Sequence, residues 1–468
     1  MTTTETEIQH LDTPALRDSA GAHLWRHFSD MTTTEKQPLR VMVKGEGCYL
    51  IDSEGNRFLD ALSNLFCVNI GYSYGEELGQ AALAQYRELG YHSNWGSTHP
   101  KAIELAHTLA DLAPEGLDHV FFTPSGGESV EAAWKIAREY HHLRGEKRWK
   151  AIGRSMAYHG TTMGALSING IPEIRSMFEP LLPGASHVRN TKRFGRPEKE
   201  TEEEFTQFLL DDLEQRILAE DPATVAMIIM EPVQNHGGML VPPAGYSAGV
   251  RALCDRYGIL LVADETITAF GRCGAWFASE RYEMKPDIIT TAKGLSSAHA
   301  VIGAVITTDE VYSTFYVAGR KFTHGNTFGG HPVMAAVALR NIEIMQELDI
   351  PRHVAAKEDE LRSKLESLRA LPIVEDVRGS GFFYAIELTS TDARGQRFSD
   401  TELARLYGDE LLSDRLVDRG ILLRLSLDGG DPVLCIAPPL IADSPEFDEL
   451  VDGLRDVLSA LSLDAGLV

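Results

Sequence analysis

The sequence predicts an α/β fold, a mainly parallel β-sheet covered by helices on both faces, with a smaller α+β domain attached. Three observations carry this. Short apolar runs alternate with amphipathic stretches from about Glu76 to Gly330. Those runs are almost continuously apolar, as strands buried on both faces are. After Pro332 the pattern changes to a long helix, paired strands and a terminal amphipathic helix.

In chain order, the first ~35 residues are rich in Thr and charge, with an aromatic island at Trp25, His27 and Phe28, and read as an arm that docks through those rings. Gly47–Asp60 alternates apolar and polar residues around Ser53-Glu54-Gly55-Asn56, a hairpin signal. Strands are expected at His119–Thr123, Val225–Glu231, Ile259–Asp264, Asp287–Thr291 and Val301–Thr307. Helices are expected at Ser129–Leu143, where Val130, Ala133, Trp134 and Ala137 recur at helical spacing, and at Glu202–Leu218 and Ser247–Tyr257. The charged stretch Asn190–Glu204 reads as a surface excursion. Beyond Pro332 the pattern predicts a helix over Ala335–Leu348, two strands over Val374–Leu388 broken at Arg378-Gly379-Ser380-Gly381, and a helix over Ser444–Leu463. The implied division is an arm with part of the small domain (1–75), a large domain (76–330) and the C-terminal small domain (331–468).

Charge and composition exclude several function classes. With 44 Lys+Arg against 68 Asp+Glu the net charge is −24, which disfavours binding to a phosphate backbone and argues against nucleic acid as a partner. The apolar runs, such as Val225–Met230 and Ile259–Ala263, fall far short of the ~20 residues that span a bilayer. Met1–Thr13 shows neither the basic start nor the apolar core of a signal peptide. Five cysteines (Cys48, Cys67, Cys254, Cys273, Cys435) are scattered without a C-x-x-C pair, as in a reduced, cytoplasmic protein.

Four features at the ends of expected strands carry chemistry. Thr123-Pro124-Ser125-Gly126-Gly127-Glu128-Ser129 is a strand–turn–helix junction whose backbone N–H groups can approach a phosphate; many such turns carry Gly-Gly only to make the turn. Lys293 follows the strand Asp287–Thr291, at the sheet edge where α/β proteins bind ligands, and burial there would suit it to Schiff-base chemistry; a lone Lys is more often a solvated charge. Asp264-Glu265 ends another strand, where a carboxylate can hold a pyridinium nitrogen or merely cap a helix. Tyr158-His159-Gly160 offers a flat ring before a tight turn, a pairing equally common in cores. Together they supply a phosphate cup, a stacking face, a pyridinium anchor and an amine nucleophile. No H-E-x-x-H is present and His141-His142 falls at a polar helix end, so no metal site is expected.

The order Ser125-Gly126-Gly127-Glu128, Tyr158-His159-Gly160, Glu231-Pro232, Asp264-Glu265, Phe270-Gly271-Arg272, Lys293-Gly294, His324-Gly325-Asn326-Thr327 and Gly330-His331-Pro332 resembles the class III pyridoxal-phosphate aminotransferases. Leu65-Phe66-Cys67-Val68-Asn69-Ile70-Gly71 and Leu423-Arg424 ahead of Ala437-Pro438-Pro439 resemble the ω-amine:pyruvate branch. The resemblance implies the aspartate-aminotransferase type I fold and a homodimer with shared active sites, or a tetramer of two dimers. Its cofactor would be pyridoxal 5′-phosphate, carried covalently by Lys293. Ser125, Gly126 and Gly127 would hold the phosphate, with Thr327 arriving from the neighbouring subunit. Tyr158, His159, Glu231, Asp264 and Thr266 would surround the ring, with Asp264 on its nitrogen. Leu65, Phe66, Trp95, His236, Asn326 and Arg424 would surround the substrate, with Arg424 on its carboxylate.

Gly127 stands where a hydroxylated residue is common, Thr266 where Val usually packs, His236 where a small residue is frequent and Asn326 where an aromatic is frequent. These departures imply a more polar pocket, better suited to aliphatic or polar amines than to benzylic ones. The expected reaction is ping-pong transfer of an amino group from an amine or ω-amino acid to a keto acid, pyruvate first. A decarboxylase or aminomutase on the same fold, or a taurine- or β-alanine-specific pyruvate aminotransferase, would share these residues.

Overall fold

A computed structural model describes residues 11–29, 39–193, 195–197, 199–408, 412–428 and 431–467. Its strands in chain order are β1 (Met42–Glu46), β2 (Tyr49–Asp52), β3 (Arg57–Asp60), β4 (Leu117–Thr123), β5 (Lys150–Arg154), β6 (Ala185–Val188), β7 (Val225–Met230), β8 (Leu260–Asp264), β9 (Ile288–Thr291), β10 (Gly303–Thr308), β11 (Val374–Ser380), β12 (Phe383–Leu388), β13 (Ile421–Leu422), β14 (Arg424–Asp428) and β15 (Asp431–Ile436). The central sheet has seven of them in the order β4-β10-β9-β8-β7-β5-β6. Pairing is parallel from β9 to β6, whereas β10 runs antiparallel to both neighbours.

Alternate strand residues feed two cores. Leu260, Val262 and Val305 face the helix Gly126–Leu143, which buries Val130, Ala133, Trp134 and Ala137 at the expected spacing. Leu261, Ala263, Ala304 and Ile306 enter the larger core on the opposite face. Every residue of β7 and β8 is buried, which is why these strands read as unbroken apolar runs. Among the described residues, no helix is long and apolar enough to cross a membrane.

The two smaller sheets join distant parts of the chain. In one, β13 pairs in parallel with β3 (Ile421 opposite Leu59), so a C-terminal strand completes the N-terminal hairpin. The other has the order β11-β12-β15-β14 and is antiparallel throughout.

Several expectations differ from the structure. Neither β5 nor β6 follows from the sequence pattern: each is only a few residues long, and β5 opens and closes on a cation, which obscures its apolar centre. Val301 is 67% exposed and β10 begins only at Gly303. The Arg378-Gly379-Ser380 segment continues β11, leaving Gly381-Phe382 as the turn. Within the N-terminal arm, Thr13–His23 is a helix fastened by a Thr13–Ser53 hydroxyl bond (2.8 Å) and an Arg17–Glu54 ion pair (3.0 Å). Trp25 and Phe28 are exposed, so these polar contacts, and not the rings, dock the described part of the arm. The charged excursion ends in a capping box in which Thr201 and Glu204 start the helix Glu202–Ala219.

Candidate active site

The ends of β4, β5, β7, β8 and β9 open on one edge of the central sheet, the edge where open α/β sheets bind ligands. Beyond β4, Ser125 caps the helix Gly126–Leu143, its Oγ accepting from Glu128 N–H (3.3 Å). The Ser129 N–H bonds Ser125 O, which leaves Gly126 and Gly127 as the unfilled first-turn donors. A Cβ on Gly126 would lie 2.8 Å from the Thr266 methyl, and one on Gly160 would lie 2.7 Å from Gly127 Cα. Only glycines let these turns and Thr266 crowd together. At Gly127 an added Cβ would meet nothing closer than 3.5 Å, so the hydroxylated residue common in the family would fit there.

Asp264 closes β8 and is buried. Its Oδ2 meets His159 Nδ1 at 2.7 Å, while Oδ1 accepts from the Thr266 hydroxyl (2.6 Å), Thr266 N–H (3.2 Å) and the Thr290 hydroxyl (3.0 Å). Burial opposes ionisation, but the bonds from His159 and Thr266 outweigh it and hold the carboxyl below its ordinary pKa. An ionised carboxylate only accepts, so His159 Nδ1 carries the hydrogen; its buried Nε2 has no partner among the described residues. Glu231, just after β7, accepts from Tyr158 N–H (3.3 Å) and Asn235 N–H (3.0 Å), and burial raises its pKa.

Lys293 follows β9 with φ of 41°, its carbonyl accepting from Ser296 N–H and Ala298 N–H at 3.2 Å each. A left-handed lysine costs roughly 1 kcal/mol or more and persists only where its surroundings fix it. Burial lowers its ammonium to about 8, aided by the positive charge of Arg424 and opposed by Asp264 and Glu231. Its Nζ is 5.4 Å from the centre of the Phe66 ring, and the Arg424 guanidinium carbon is 5.2 Å from the same ring. Arg424 pairs with no carboxylate among the described residues; it reaches Cys435 Sγ at 3.5 Å, and its buried Nε has no partner. The His236 ring stacks near Tyr158, with centres 5.6 Å apart.

The structure thus brings together Ser125, Gly126, Gly127, Tyr158, His159, Glu231, Asp264, Thr266 and Lys293, with Phe66, His236 and Arg424 beside them. Leu65 is exposed on the Phe66 loop. Trp95 and Asn326 instead line a wide groove of about 1410 Å³ walled by Phe121, Tyr312 and Phe315. Asn326 donates to Glu128 Oε2 (3.1 Å), and the exposed Thr327 accepts at its carbonyl from Tyr91 (2.8 Å). Sequence reasoning missed Thr290, which braces Asp264, and Arg154, which is buried and bonds the Glu231 carbonyl (2.5 Å). Neither residue carries a local signal, since each acts across neighbouring strands.

A sequence model of the family Aminotransferase class-III matches residues 31–458. The chain belongs to the class-III aminotransferases. This aminotransferase is 46% identical to a probable aminotransferase of Mycobacterium tuberculosis, over 95% of this chain and 94% of that one. It is 37% identical to a putrescine–pyruvate aminotransferase of Pseudomonas aeruginosa, over 92% and 93%. Its fold matches an (S)-enantioselective ω-transaminase from Thermomicrobium roseum with a TM-score of 0.91 at 39% identity, covering 96% of this chain and 98% of that one. An ω-transaminase from Pseudomonas jessenii, solved with PMP, matches at 0.90 and 30%, covering 96% and 99%. The aminotransferase therefore has the type I fold of pyridoxal-phosphate enzymes and catalyses transamination with that cofactor. Its site fits the group: the glycine turn is a cradle that a side chain would fill, with two unfilled N–H donors beside an ionised buried carboxylate and an amine of lowered pKa.

The lowered amine has a direct consequence in cofactor-free aminotransferase. Acylation of Lys293 by a small activated ester, followed by mass spectrometry, is expected to rise to a plateau as pH passes about 8, where surface lysines are still protonated. A profile that climbs only near the ordinary lysine range would contradict the burial seen here.

Proposed function

We propose that this aminotransferase moves an amino group from an aliphatic or polar amine, or an ω-amino acid, to pyruvate, using one pocket for both partners. The observation that carries the acceptor is Arg424, a guanidinium with no carboxylate partner beside Lys293, matched to a carboxylate in charge and planar shape. The kinship with a putrescine–pyruvate aminotransferase supports the same acceptor.

Bound pyridoxal phosphate supplies an electron sink for the carbon that loses its proton. Lys293 Nζ, neutral above about pH 8, takes the proton from the substrate carbon and returns it. Asp264, kept ionised by His159 and Thr266, supplies the negative charge that holds a ring nitrogen protonated. Ser125, Gly126 and Gly127 would hold the cofactor's phosphate, and Tyr158, His159, Glu231 and Thr266 would surround its ring. Leu65, Phe66 and His236 shape the donor pocket.

The same reading makes the enzyme a cytoplasmic homodimer. Its groove exposes Trp95, Ile103, Tyr312 and Tyr316, an apolar face that a second copy would cover while presenting its Trp95, Asn326 and Thr327 to this chain's site. The β3–β13 pairing supports a division into a large cofactor-binding domain (76–330) and a small domain (331–468) to which part of 1–75 contributes.

Arg424→Ala tests the acceptor. Losing a charge-assisted bidentate contact is expected to raise the KM for pyruvate roughly 10- to 100-fold, while an uncharged aldehyde acceptor is used as before. Equal use of all acceptors by the variant and the parent enzyme would remove Arg424 from this role. Consumption of the keto acid without release of carbon dioxide separates transamination from decarboxylation.

A further inference from the structure

The loop after β7 carries His236 against Tyr158 and is fixed on its large-sheet side by its own backbone. Gln234 and Leu240 exchange N–H···O bonds of 3.0 and 2.8 Å, and the Gln234 side chain donates to the Ser155 carbonyl (3.0 Å). On its other side the loop meets Arg378 from β11. Arg378 Nε donates to the Gly238 carbonyl (2.5 Å), and Nη2 donates to the Gly237 carbonyl (2.9 Å). Gly238 has φ of 91°, and a Cβ there would stand 2.3 Å from the guanidinium, so a glycine is required for the cation to enter.

The guanidinium is itself held from behind. Its Nη1 pairs with Asp376 (2.7 Å) and with Glu387 (2.6 Å), whose residue is 1% exposed. Glu387 also pairs with Lys192 (2.8 Å), which reaches Asp431 (3.0 Å). A buried carboxylate thus fixes the orientation of Arg378, and two parallel donors transmit that orientation to consecutive carbonyls next to His236.

We propose that Arg378 is a positioning residue for the amine donor: it holds Gly237 and Gly238 so that His236 stands against Tyr158, and thereby sets donor fit without touching the substrate. This rests on the proposed donor pocket containing His236.

The test is a double-mutant cycle on the holoenzyme, with putrescine and β-alanine as donors and pyruvate as acceptor. Arg378→Lys and His236→Ala are each expected to raise the donor KM about fivefold, and the double variant is expected to be no worse than the single ones. The KM for pyruvate and the absorbance of bound cofactor stay within about twofold, whereas a general structural defect would move both. Multiplicative effects, or an unchanged donor KM in Arg378→Lys, overturn the inference while leaving His236 in the pocket. An unchanged donor KM in His236→Ala overturns the pocket assignment and the inference with it. Arg378→Met, which leaves Glu387 with Lys192 alone, is the harsher variant; should it fail to fold, Arg378→Lys still decides.

Discussion

Lys293→Ala is expected to lower kcat for any donor by about 10⁴-fold or more, because it removes the amine placed to move the substrate proton. The variant should still bind pyridoxal phosphate through the glycine turn and Asp264, but without a covalent link, so borohydride treatment should leave no cofactor attached to the unfolded chain, whereas the parent retains it. Stability separates loss of chemistry from loss of fold. The pKa of Lys293 falls from 10.5 unfolded to about 8 folded, so below pH 8 a buried charge costs the folded, cofactor-free protein up to about 3 kcal/mol. That cost is relieved as pH rises from 8 to 10.5. The near-isosteric Lys293→Met, cofactor-free, is therefore expected to melt at or above the parent's temperature at pH 7, and the two should converge near pH 10.5. Residual activity in Lys293→Ala close to the parent's, or a Met variant that melts well below it, would refute the assignment.

What could be read from the sequence followed physical distance along the chain. Asp264 was legible because it closes the apolar run Leu260–Ala263, and Lys293 because it follows the short buried strand Ile288–Thr291; the sheet rule places such ends together. The orientation of β10 was not, since burial on two faces makes a parallel and an antiparallel strand read alike. The partners of Asp264 were also out of reach: His159 lies 105 residues away and Thr290 26, and only the strand order decides that they meet. Arg378 read as a break between strands, because its glycine neighbours mask its pairing with a loop 140 residues earlier. Phe270-Gly271-Arg272 served only as a mark of resemblance; the structure gives it a physical reason.

Arg272 is fully buried, and among the described residues its bonded partners include no carboxylate. Burial lowers its pKa to about 10, still far above neutrality, so the interior holds a full cation. Carbonyls and side-chain oxygens solvate it: Phe382 O (3.0 Å), Pro438 O (2.6 Å), Ser63 Oγ (3.0 Å) and Asn69 Oδ1 (3.1 Å). These four acceptors come from three separate parts of the chain, the Ser63–Asn69 loop, the β11–β12 turn and the segment after β15. The loop is strained, with left-handed φ at Ser63 (48°), Asn64 (60°) and Phe66 (62°), and it presents Phe66 to both Lys293 and Arg424. Arg272 therefore stabilises the joint and aims the active-site ring at once. Arg272→Met leaves four buried acceptors without donors and is expected to cost about 3–5 kcal/mol of stability. Arg272→Lys keeps the charge but not the planar reach, and should recover part of the melting temperature while leaving the donor KM raised, because Phe66 is no longer held. Calorimetry paired with donor kinetics separates the two effects. A Met variant as stable as the parent would show that the cation is dispensable to the joint, and a Lys variant with normal kinetics would show that the loop holds Phe66 without it.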